Sequence, residues 1–265
     1  GSIFRLVKDL RDGKAYGEGN GTFDLSEWEI DEQETAPEAG TIDHDKNTEW
    51  FYSRYKHITD CQGTVESSKA RLYLRNRGID YNHTDVGLLD EMEGRVVFPF
   101  VESGRVVYYV GRCFYPMTLK TLNPPKVGWL GKNEVLYGCD SFFGSDSLII
   151  TEGLFDSIYT EAMTGIKTTC LLGKTLSPRQ EAAISRYGFD TVYVLLDADA
   201  QDVAWSLGDQ LYKAGINVRV CVWGKEFPRS ADPNTIEPDA LRGLIRAAVP
   251  VGWSTGLLSA LGGAS

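Results

Sequence analysis

Three acidic residues stand at the ends of apolar segments in the second half of this sequence. Glu152 follows the run SLIIT, and Asp197 and Asp199 follow the start of TVYVLLDADA. Residues two positions apart in an extended chain point to the same side, so Asp197 and Asp199 can share one metal ion. Carboxylates at the carboxyl ends of parallel strands lie at the mouth of the sheet, where ligands usually bind. All-oxygen ligands suit Mg²⁺, and also Mn²⁺, so the pattern predicts a divalent-metal site for phosphate chemistry.

Plainer explanations exist for these residues. The DADA segment could be an acidic cap on the helix that begins near Ala200, because aspartate is common at N-caps; Glu152 at the end of another strand favours the metal. Asp156 is either a partner for a metal-bound water or a first-turn acid favoured by the helix dipole. Gly173 ends a third strand and allows close approach of a ligand. Lys174 beside it could meet a phosphate or remain solvated.

Positive charge and aromatic rings are interleaved in the segment before these acids. Cations that follow phosphates and rings that stack on bases are typical of surfaces for single-stranded nucleic acid or nucleotides. Each residue alone has an ordinary structural explanation, and only the clustering favours binding. The residues are Arg77, Arg112, Lys120, Lys126 and Lys132, with Tyr108, Tyr109, Phe114, Tyr115 and Trp129.

The elements that position these side chains alternate between strand and helix from about residue 146. SLIIT, TTCLL, TVYVLL and NVRVCVW have the pattern of strands, with FDSIYTEAM, SPRQEAAISRY and AQDVAWSLGDQLYKAG as helices between them. This alternation predicts a largely parallel sheet with right-handed crossovers. Upstream, ESSKARLYLRNRGI predicts a helix that ends near Gly78, and GRVVFPFV and GRVVYYVGRCF predict a hairpin that turns at residues 102–104. DALRGLIRAAV predicts a helical tail.

Composition limits the classes of protein to consider. The chain has 265 residues, 42% of them hydrophobic, and 27 basic against 37 acidic residues give a net charge of −10. That balance excludes a protein coated in positive charge, although not a local basic groove. Five scattered cysteines and the lack of a signal peptide or membrane-spanning run indicate a reduced, cytoplasmic setting. We interpret acidic residues 27–49 as a solvated loop or mobile arm, or alternatively as an electrostatic gate or partner site.

In combination, these motifs resemble a known family. EGxxD, LG and DxD on alternating strands and helices are similar to the Toprim domain of bacterial-type primases, topoisomerases and some nucleases. YLRNRGI, GRVVFPFVESGRVVYYVGR, LKTLNPP and GKNEVLYG resemble the first part of the RNA polymerase core of bacterial and phage primases of the DnaG type. The likeness covers roughly residues 64–236. Several motifs in one order are far more specific than any single one.

The resemblance implies an α/β fold in which a Toprim-type, mostly parallel sheet flanked by helices follows a mixed α+β subdomain and precedes a short helical tail. The implied divisions are an N-terminal helix and acidic loop at 1–62, a basic subdomain at 63–145, the Toprim domain at 146–230 and a helical segment at 231–265. The family's zinc ribbon and a GxxxxGK[ST] helicase loop are not found in this sequence. We therefore interpret IFRLVKDL as the helix that follows the ribbon, and expect an excised catalytic core.

The resemblance also implies roles for individual residues. Glu152, Asp197 and Asp199 are expected to hold the catalytic metals, with Asp156 and Asp232 as further acidic positions near them. Lys174 stands where bacterial members usually carry a small residue, Gln201-Asp202 replaces the usual AG, and Asn234 replaces an acid. These departures indicate a divergent enzyme of a phage or mobile element. Nucleotide or template binding is expected of Arg77, Arg112, Lys120, Lys132, Gly173 and Lys174.

The implied activity is that of a DNA primase, which synthesises short RNA primers from ribonucleoside triphosphates on single-stranded DNA by two-metal nucleotidyl transfer with Mg²⁺ or Mn²⁺. A zinc-ribbon domain and a replicative helicase are the expected partners. One alternative is a Toprim nuclease that uses water in place of the 3′-hydroxyl. Another is a noncatalytic module that binds DNA or a helicase. A topoisomerase is disfavoured because no second domain supplies the tyrosine.

Overall fold

The computed structural model describes residues 42–116 and 119–252. The chain divides into two units, residues 1–40 and 41–265, and every described residue lies in the second. The segment IFRLVKDL and the Gly-rich end beyond residue 252 lie outside the described residues. Within the described ranges, no helix combines the length and apolar character needed to cross a bilayer.

The first sheet is antiparallel and has five strands in the order β1-β2-β3-β4-β5. Its longest pair is the predicted hairpin, which is confirmed. Ser103 and Gly104, with φ of 54° and 74°, form the turn between its strands. The Asp140 carboxylate accepts hydrogen bonds from the N–H groups of Ser103 at 2.6 Å and Gly104 at 2.8 Å. The strands are β1 (Tyr55–His57), β2 (Gly87–Leu89), β3 (Arg95–Glu102), β4 (Arg105–Cys113) and β5 (Thr121–Leu122).

Two helices accompany this sheet, α1 (His44–Tyr52) and α2 (Val65–Asn76). The predicted helix ending near Gly78 is thereby confirmed as α2. The prediction of a loop over all of residues 27–49 is wrong from Asp43 onward, and residues 27–41 lie outside the described part. Asp43 caps α1 by accepting a hydrogen bond from Lys46 N at 3.0 Å, and the helix buries Phe51 completely. Capping and burial therefore order the end of the acidic stretch.

The second sheet has the order β10-β9-β8-β6-β7. Its first four strands in sequence are parallel, as predicted. A fifth strand, β10, pairs antiparallel with β9 and was not predicted, because two residues carry no periodic pattern. The strands are β6 (Ser147–Thr151), β7 (Lys167–Cys170), β8 (Thr191–Val194), β9 (Val218–Val220) and β10 (Val249–Pro250).

Four helices connect or follow these strands, all in predicted places. Ser177 opens α4 with a capping box in which its Oγ accepts from Gln180 N at 3.1 Å and its N–H donates to Gln180 Oε1 at 3.1 Å. Gly208 lets α5 approach the sheet closely, since an added Cβ would lie 2.9 Å from Val220 Cγ2. The helices are α3 (Leu154–Thr164), α4 (Pro178–Tyr187), α5 (Gln201–Lys213) and α6 (Pro238–Arg246).

One hydrophobic cluster joins the two sheets. It contains Phe98 of the first sheet together with Leu154, Phe155 and Cys170 of the second half. The rings of Phe98 and Phe155 meet edge to face, with centroids 5.7 Å apart. The first turn of α3 is therefore packed in the core that joins the two sheets. The predicted domain boundaries at 62/63, 145/146 and 230/231 stay predictions. Helix α1 packs against the first sheet, and β1 is one of its strands.

Candidate metal centre

The acids predicted from the sequence meet at the carboxyl edge of the second sheet. Glu152 lies in the two-residue connection between β6 and α3, and Asp197 follows the neighbouring parallel strand β8. Asp156 is in the first turn of α3 and turns back toward that connection. A Cβ added to Gly153 would lie 2.5 Å from Asp156 Oδ2, so a larger residue at this position would require the Asp156 carboxylate to move.

Burial and mutual repulsion raise the pKa values of the central carboxyl groups. Burial raises the pKa of Asp156 to about 6, opposed by a hydrogen bond from Asn234 N at 3.3 Å and assisted by the charges of Asp232 and Glu152. Burial also raises the pKa of Asp197 to about 7, and the charges of all four other acids act in the same direction. The pKa of Asp232 is raised by its burial and by Asp199. Five carboxylates thus share one electrostatic environment.

Two oxygens in this cluster are buried without a hydrogen-bond partner: Glu152 Oε2 and Asp197 Oδ1. Asp197 precedes the 3₁₀ turn Ala198–Ala200, yet its side chain makes no capping hydrogen bond. The explanation of DADA as a plain helix cap is therefore not supported. Buried carboxylate oxygens are costly unless they are paired, and a divalent cation would satisfy them. The donor set fits Mg²⁺ or Mn²⁺.

Lys174 occupies the same cluster. Its Nζ lies 3.1 Å from Asp199 Oδ1 and 3.5 Å from Glu152 Oε2, so the ammonium bridges two of the three principal acids. Across residues 42–116 and 119–252, no three His, Cys, Asp or Glu side chains converge in a ready-made metal cage. The acids are close together, but two of them are directed to the lysine. Metal binding would therefore require these side chains to move.

The loop that carries Lys174 also receives a second lysine. Lys132, on the 3₁₀ turn Lys132–Glu134, donates from Nζ to Leu172 O at 3.4 Å and lies 3.8 Å from the Cβ position of Gly173. Leu172 has a φ of 53°, a conformation that is strained for a leucine. Gly173 N donates to Glu152 O at 3.3 Å. Lys132, Gly173 and Lys174 thus border the acid cluster, and their role in binding a nucleotide stays a prediction.

The two predicted arginines lie against the ring of Phe155. Arg77 Cζ is 5.4 Å and Arg112 Cζ is 5.2 Å from the ring centroid. Arg112 donates from Nη1 to Thr121 Oγ1 at 2.6 Å, and its buried Nε has no hydrogen-bond partner. The charge of Arg77 opposes the rise in the pKa of Asp232. Arg77 and Arg112 therefore contact Phe155, the residue that directly precedes Asp156 of the acid cluster.

Sequence reasoning missed Phe155 as a site residue. Its apolar character and helical position indicate a core side chain, which it also is, at 5% exposure. The available indication was its position next to Asp156 in the EGxxD motif. Sequence reasoning noted Asn234 only as a replacement for the usual acid. In the structure its backbone N–H donates a hydrogen bond to Asp156 Oδ1.

Two of the five aromatic residues predicted to form a binding surface are buried. Tyr108 and Tyr109 are each 3% exposed and belong to the hydrophobic cores, so the prediction that they stack on bases is wrong. Their alternation along β4 suits a sheet that is covered on both faces. Lys120 is exposed beside residues 117 and 118, which are not described, and its backbone carbonyl bonds to Cys113 N at 3.1 Å. Lys120 is not placed against the acids by any described contact.

A cavity of about 510 Å³ lies elsewhere, between the β3–β4 turn and α4. None of the predicted site residues lines it. An ion pair between Arg179 and Glu134, at 3.0 Å, borders it. The predicted site residues therefore lie at the acidic edge of the second sheet and not in this cavity.

Comparison with solved structures defines the class of fold. A DnaG catalytic core aligns with a TM-score of 0.63 at 20% identity, over 82% of each chain. A DnaG primase catalytic domain bound to single-stranded DNA aligns with a TM-score of 0.63 at 19% identity, over 81% of this chain and 80% of that one. The E. coli primase catalytic core gives 0.61 at 18% identity, over 81% and 82%. The fold is that of a DnaG-type catalytic core.

Sequence relatives agree with this class. The DNA primase of Deinococcus radiodurans is 29% identical over 153 residues, which are 54% of this chain and 26% of that protein. The DNA primase of Staphylococcus aureus strain MSSA476 is 24% identical over 180 residues, 61% of this chain and 29% of that protein. No protein-family model matches the chain. The chain resembles a DnaG-type primase catalytic domain, and the match spans less than a third of the length of these curated relatives.

Proposed function

We propose that this chain is the catalytic core of a DNA primase that makes short RNA primers from ribonucleoside triphosphates on single-stranded DNA. The observation that carries the proposal is the cluster of five carboxylates, with two buried oxygens that lack a hydrogen bond, next to two arginines in a DnaG-type fold. Metal-bound acids and phosphate-binding cations at adjacent places are what nucleotidyl transfer requires. The arrangement also explains how a protein of net charge −10 can hold nucleic acid.

In this proposal, Glu152, Asp197 and Asp199 hold Mg²⁺, or Mn²⁺, with Asp156 and Asp232 adding negative charge around them. When bound by these residues, the ions would lower the pKa of the primer 3′-hydroxyl and stabilise the leaving pyrophosphate. Asp156 is 7% exposed and is fixed by Asn234 N, so it is suited to orienting its neighbours. Asp197 Oδ1, which is buried without a hydrogen-bond partner, and Glu152 Oε2, which lies 3.5 Å from Lys174 Nζ, support the assignment of both residues as direct ligands.

The chain's own cations bind the phosphates. Arg77 and Arg112 are held against the ring of Phe155, the residue before Asp156, with their Cζ atoms 5.4 Å and 5.2 Å from its centroid. Planar guanidinium groups form paired hydrogen bonds with phosphate oxygens. Lys132 and Gly173 border the same edge and offer a second contact for a triphosphate. Lys120, which is exposed, would follow the template strand.

The proposed substrates are a single-stranded DNA template and ribonucleoside triphosphates. Support for the template comes from the similar DnaG catalytic domain solved with single-stranded DNA. A zinc-ribbon domain and a replicative helicase complete the proposed set of partners. We place the activity in the cytoplasm of a bacterial cell, in a protein encoded by a phage or mobile element.

The test is a primer-synthesis assay with a matched pair of variants. The protein is incubated with single-stranded DNA, Mg²⁺ or Mn²⁺ and labelled ribonucleotides, and products are resolved by length. Asp197→Asn removes a proposed ligand, whereas Asp202→Asn removes an equal charge from an exposed position on α5. Short labelled oligomers from the wild type and Asp202→Asn, but not from Asp197→Asn, are expected. Metal-dependent shortening of the DNA without nucleotide incorporation would instead establish a nuclease.

A further inference from the structure

Lys174 is the cation that the fold itself supplies to the acid cluster. Its Nζ lies 3.1 Å from Asp199 Oδ1 and 3.5 Å from Glu152 Oε2. Among the residues that the structure describes, Glu152 and Asp199 form ion pairs with Lys174 and with no other cation. Glu152 Oε2 is one of the two oxygens in the cluster that lack a hydrogen bond. The ammonium therefore stands where a shared cation between these carboxylates would stand.

The loop geometry directs Lys174 to this place. Gly173 N donates to Glu152 O at 3.3 Å, which fixes the backbone next to the acid. Leu172 takes a left-handed conformation, with φ of 53°, just before it. The Lys174 side chain, two residues after Leu172, then reaches across the carboxyl edge of the sheet to Glu152 and Asp199. Lys132, the second lysine at this loop, bonds to the carbonyl of Leu172 and forms no ion pair within the described residues.

The pairing is of a strength that a divalent cation can overcome. The side chains of Lys174, Glu152 and Asp199 are 39%, 24% and 58% exposed, so water screens the ion pairs. Partly exposed pairs of this kind contribute at most about 1 kcal/mol each. A doubly charged ion with direct oxygen coordination interacts more strongly with the same carboxylates than one ammonium group does.

We propose that Lys174 is a built-in counter-ion that must leave Glu152 and Asp199 before a divalent metal binds, so that this residue lowers the metal affinity of the site. The inference rests on the proposed metal site. When only a fraction of the molecules is in the state that binds a ligand, the apparent affinity for that ligand is reduced in proportion to the fraction. Lys174 thus raises the metal concentration that is needed to occupy the site. A small residue at this position would leave the acids free.

The experiment is a calorimetric titration of the metal-free protein with Mn²⁺. We compare the wild type with Lys174→Met and Lys132→Met, each of which removes one positive charge beside the cluster. Lys174→Met is expected to bind Mn²⁺ about three- to tenfold more tightly than the wild type, from the loss of two partly screened ion pairs. Lys132→Met is expected to stay within about twofold, because its ammonium pairs with a carbonyl. Circular dichroism checks the fold, and Lys174→Gln provides a second variant.

The outcomes separate this inference from the proposed function. Asp197→Asn is titrated in parallel, and loss of Mn²⁺ binding in that variant is expected. If Lys174→Met and Lys174→Gln then match the wild type, or match Lys132→Met, the displacement of Lys174 is refuted while the metal site stands. If Asp197→Asn binds Mn²⁺ as the wild type does, the metal site is wrong, and both proposals fail with it.

Discussion

Arg112 lies with its guanidinium carbon 5.2 Å from the centre of the Phe155 ring, and Phe155 directly precedes the buried acid Asp156. The first turn of α3 therefore holds both the ring that the two arginines contact and one of the clustered carboxylates. The ring is anchored in the cluster that joins the two sheets. The contact between Arg112 and the residue beside Asp156 is thus positioned by the core that joins the two sheets.

The first prediction concerns Phe155. Phe155→Leu should lower the free energy of unfolding by about 1–2 kcal/mol through lost packing. It should also raise the KM for ribonucleotides severalfold, because Arg77 and Arg112 lose their platform. Phe142→Leu is the matched control, since Phe142 is 1% exposed in a different cluster. Equal changes of KM in the two variants would show that the effect is only loss of stability.

The second prediction concerns pH in the presence of EDTA. Asp156 and Asp197 have folded-state pKa values of about 6 and about 7, against an ordinary value of 3.8. Between these limits the folded protein binds more protons than the unfolded chain, so the free energy of unfolding falls as the pH rises from about 4 to about 7. Urea unfolding at several pH values measures this fall.

Asp156→Asn should reduce that dependence. It should stabilise the metal-free protein by about 1 kcal/mol at pH 8, where the wild-type carboxylate is charged, and change little at pH 4. The amide oxygen can still accept from Asn234 N, so the hydrogen bond at this position is kept. A fall in stability at pH 8 would contradict the proposed repulsion.

The third prediction concerns metal addition. Mn²⁺ or Mg²⁺ at about a hundred times its dissociation constant should stabilise the folded protein by about 2.7 kcal/mol. The rise in Tm should be reversed by EDTA and absent in Asp197→Asn, whereas Asp202→Asn should keep it. Thermal scans of the three proteins, with and without metal, provide the measurement. The same rise in Asp197→Asn would place metal binding elsewhere.

The fourth prediction concerns Gly153. Gly153→Ala should destabilise the protein by about 1–3 kcal/mol and weaken Mn²⁺ binding, because its Cβ would lie 2.5 Å from Asp156 Oδ2. Gly243→Ala in α6 is the control. An added Cβ there meets no atom within 4 Å, so this change should be neutral or stabilise the helix by up to about 1 kcal/mol. Similar destabilisation by both changes would count against a close approach specific to Gly153.

Most helices and strands of the second half could be predicted from the sequence, because patterns that extend over only a few residues determine them. Strands β6 to β9 and helices α3 to α6 follow apolar periodicity, caps and glycine ends, which act within a few residues. The short strand β10, which pairs with β9 at one edge of the second sheet, could not be predicted, because a two-residue strand has no periodic pattern. The helix α1 was missed since its order depends on burying Phe51 against a distant strand.

By itself, the sequence determined that Glu152, Asp197 and Asp199 stand at strand ends, because each follows an apolar run that must be buried. Only the tertiary structure decided what those acids contact. The pairing of Lys174 with Glu152 and Asp199, the contacts of Arg77 and Arg112 with the Phe155 ring, and the packing of Tyr108 in the core all depend on residues far apart in the chain. Such contacts depend on how strands are ordered and sheets are packed, and no spacing along a single chain specifies that arrangement.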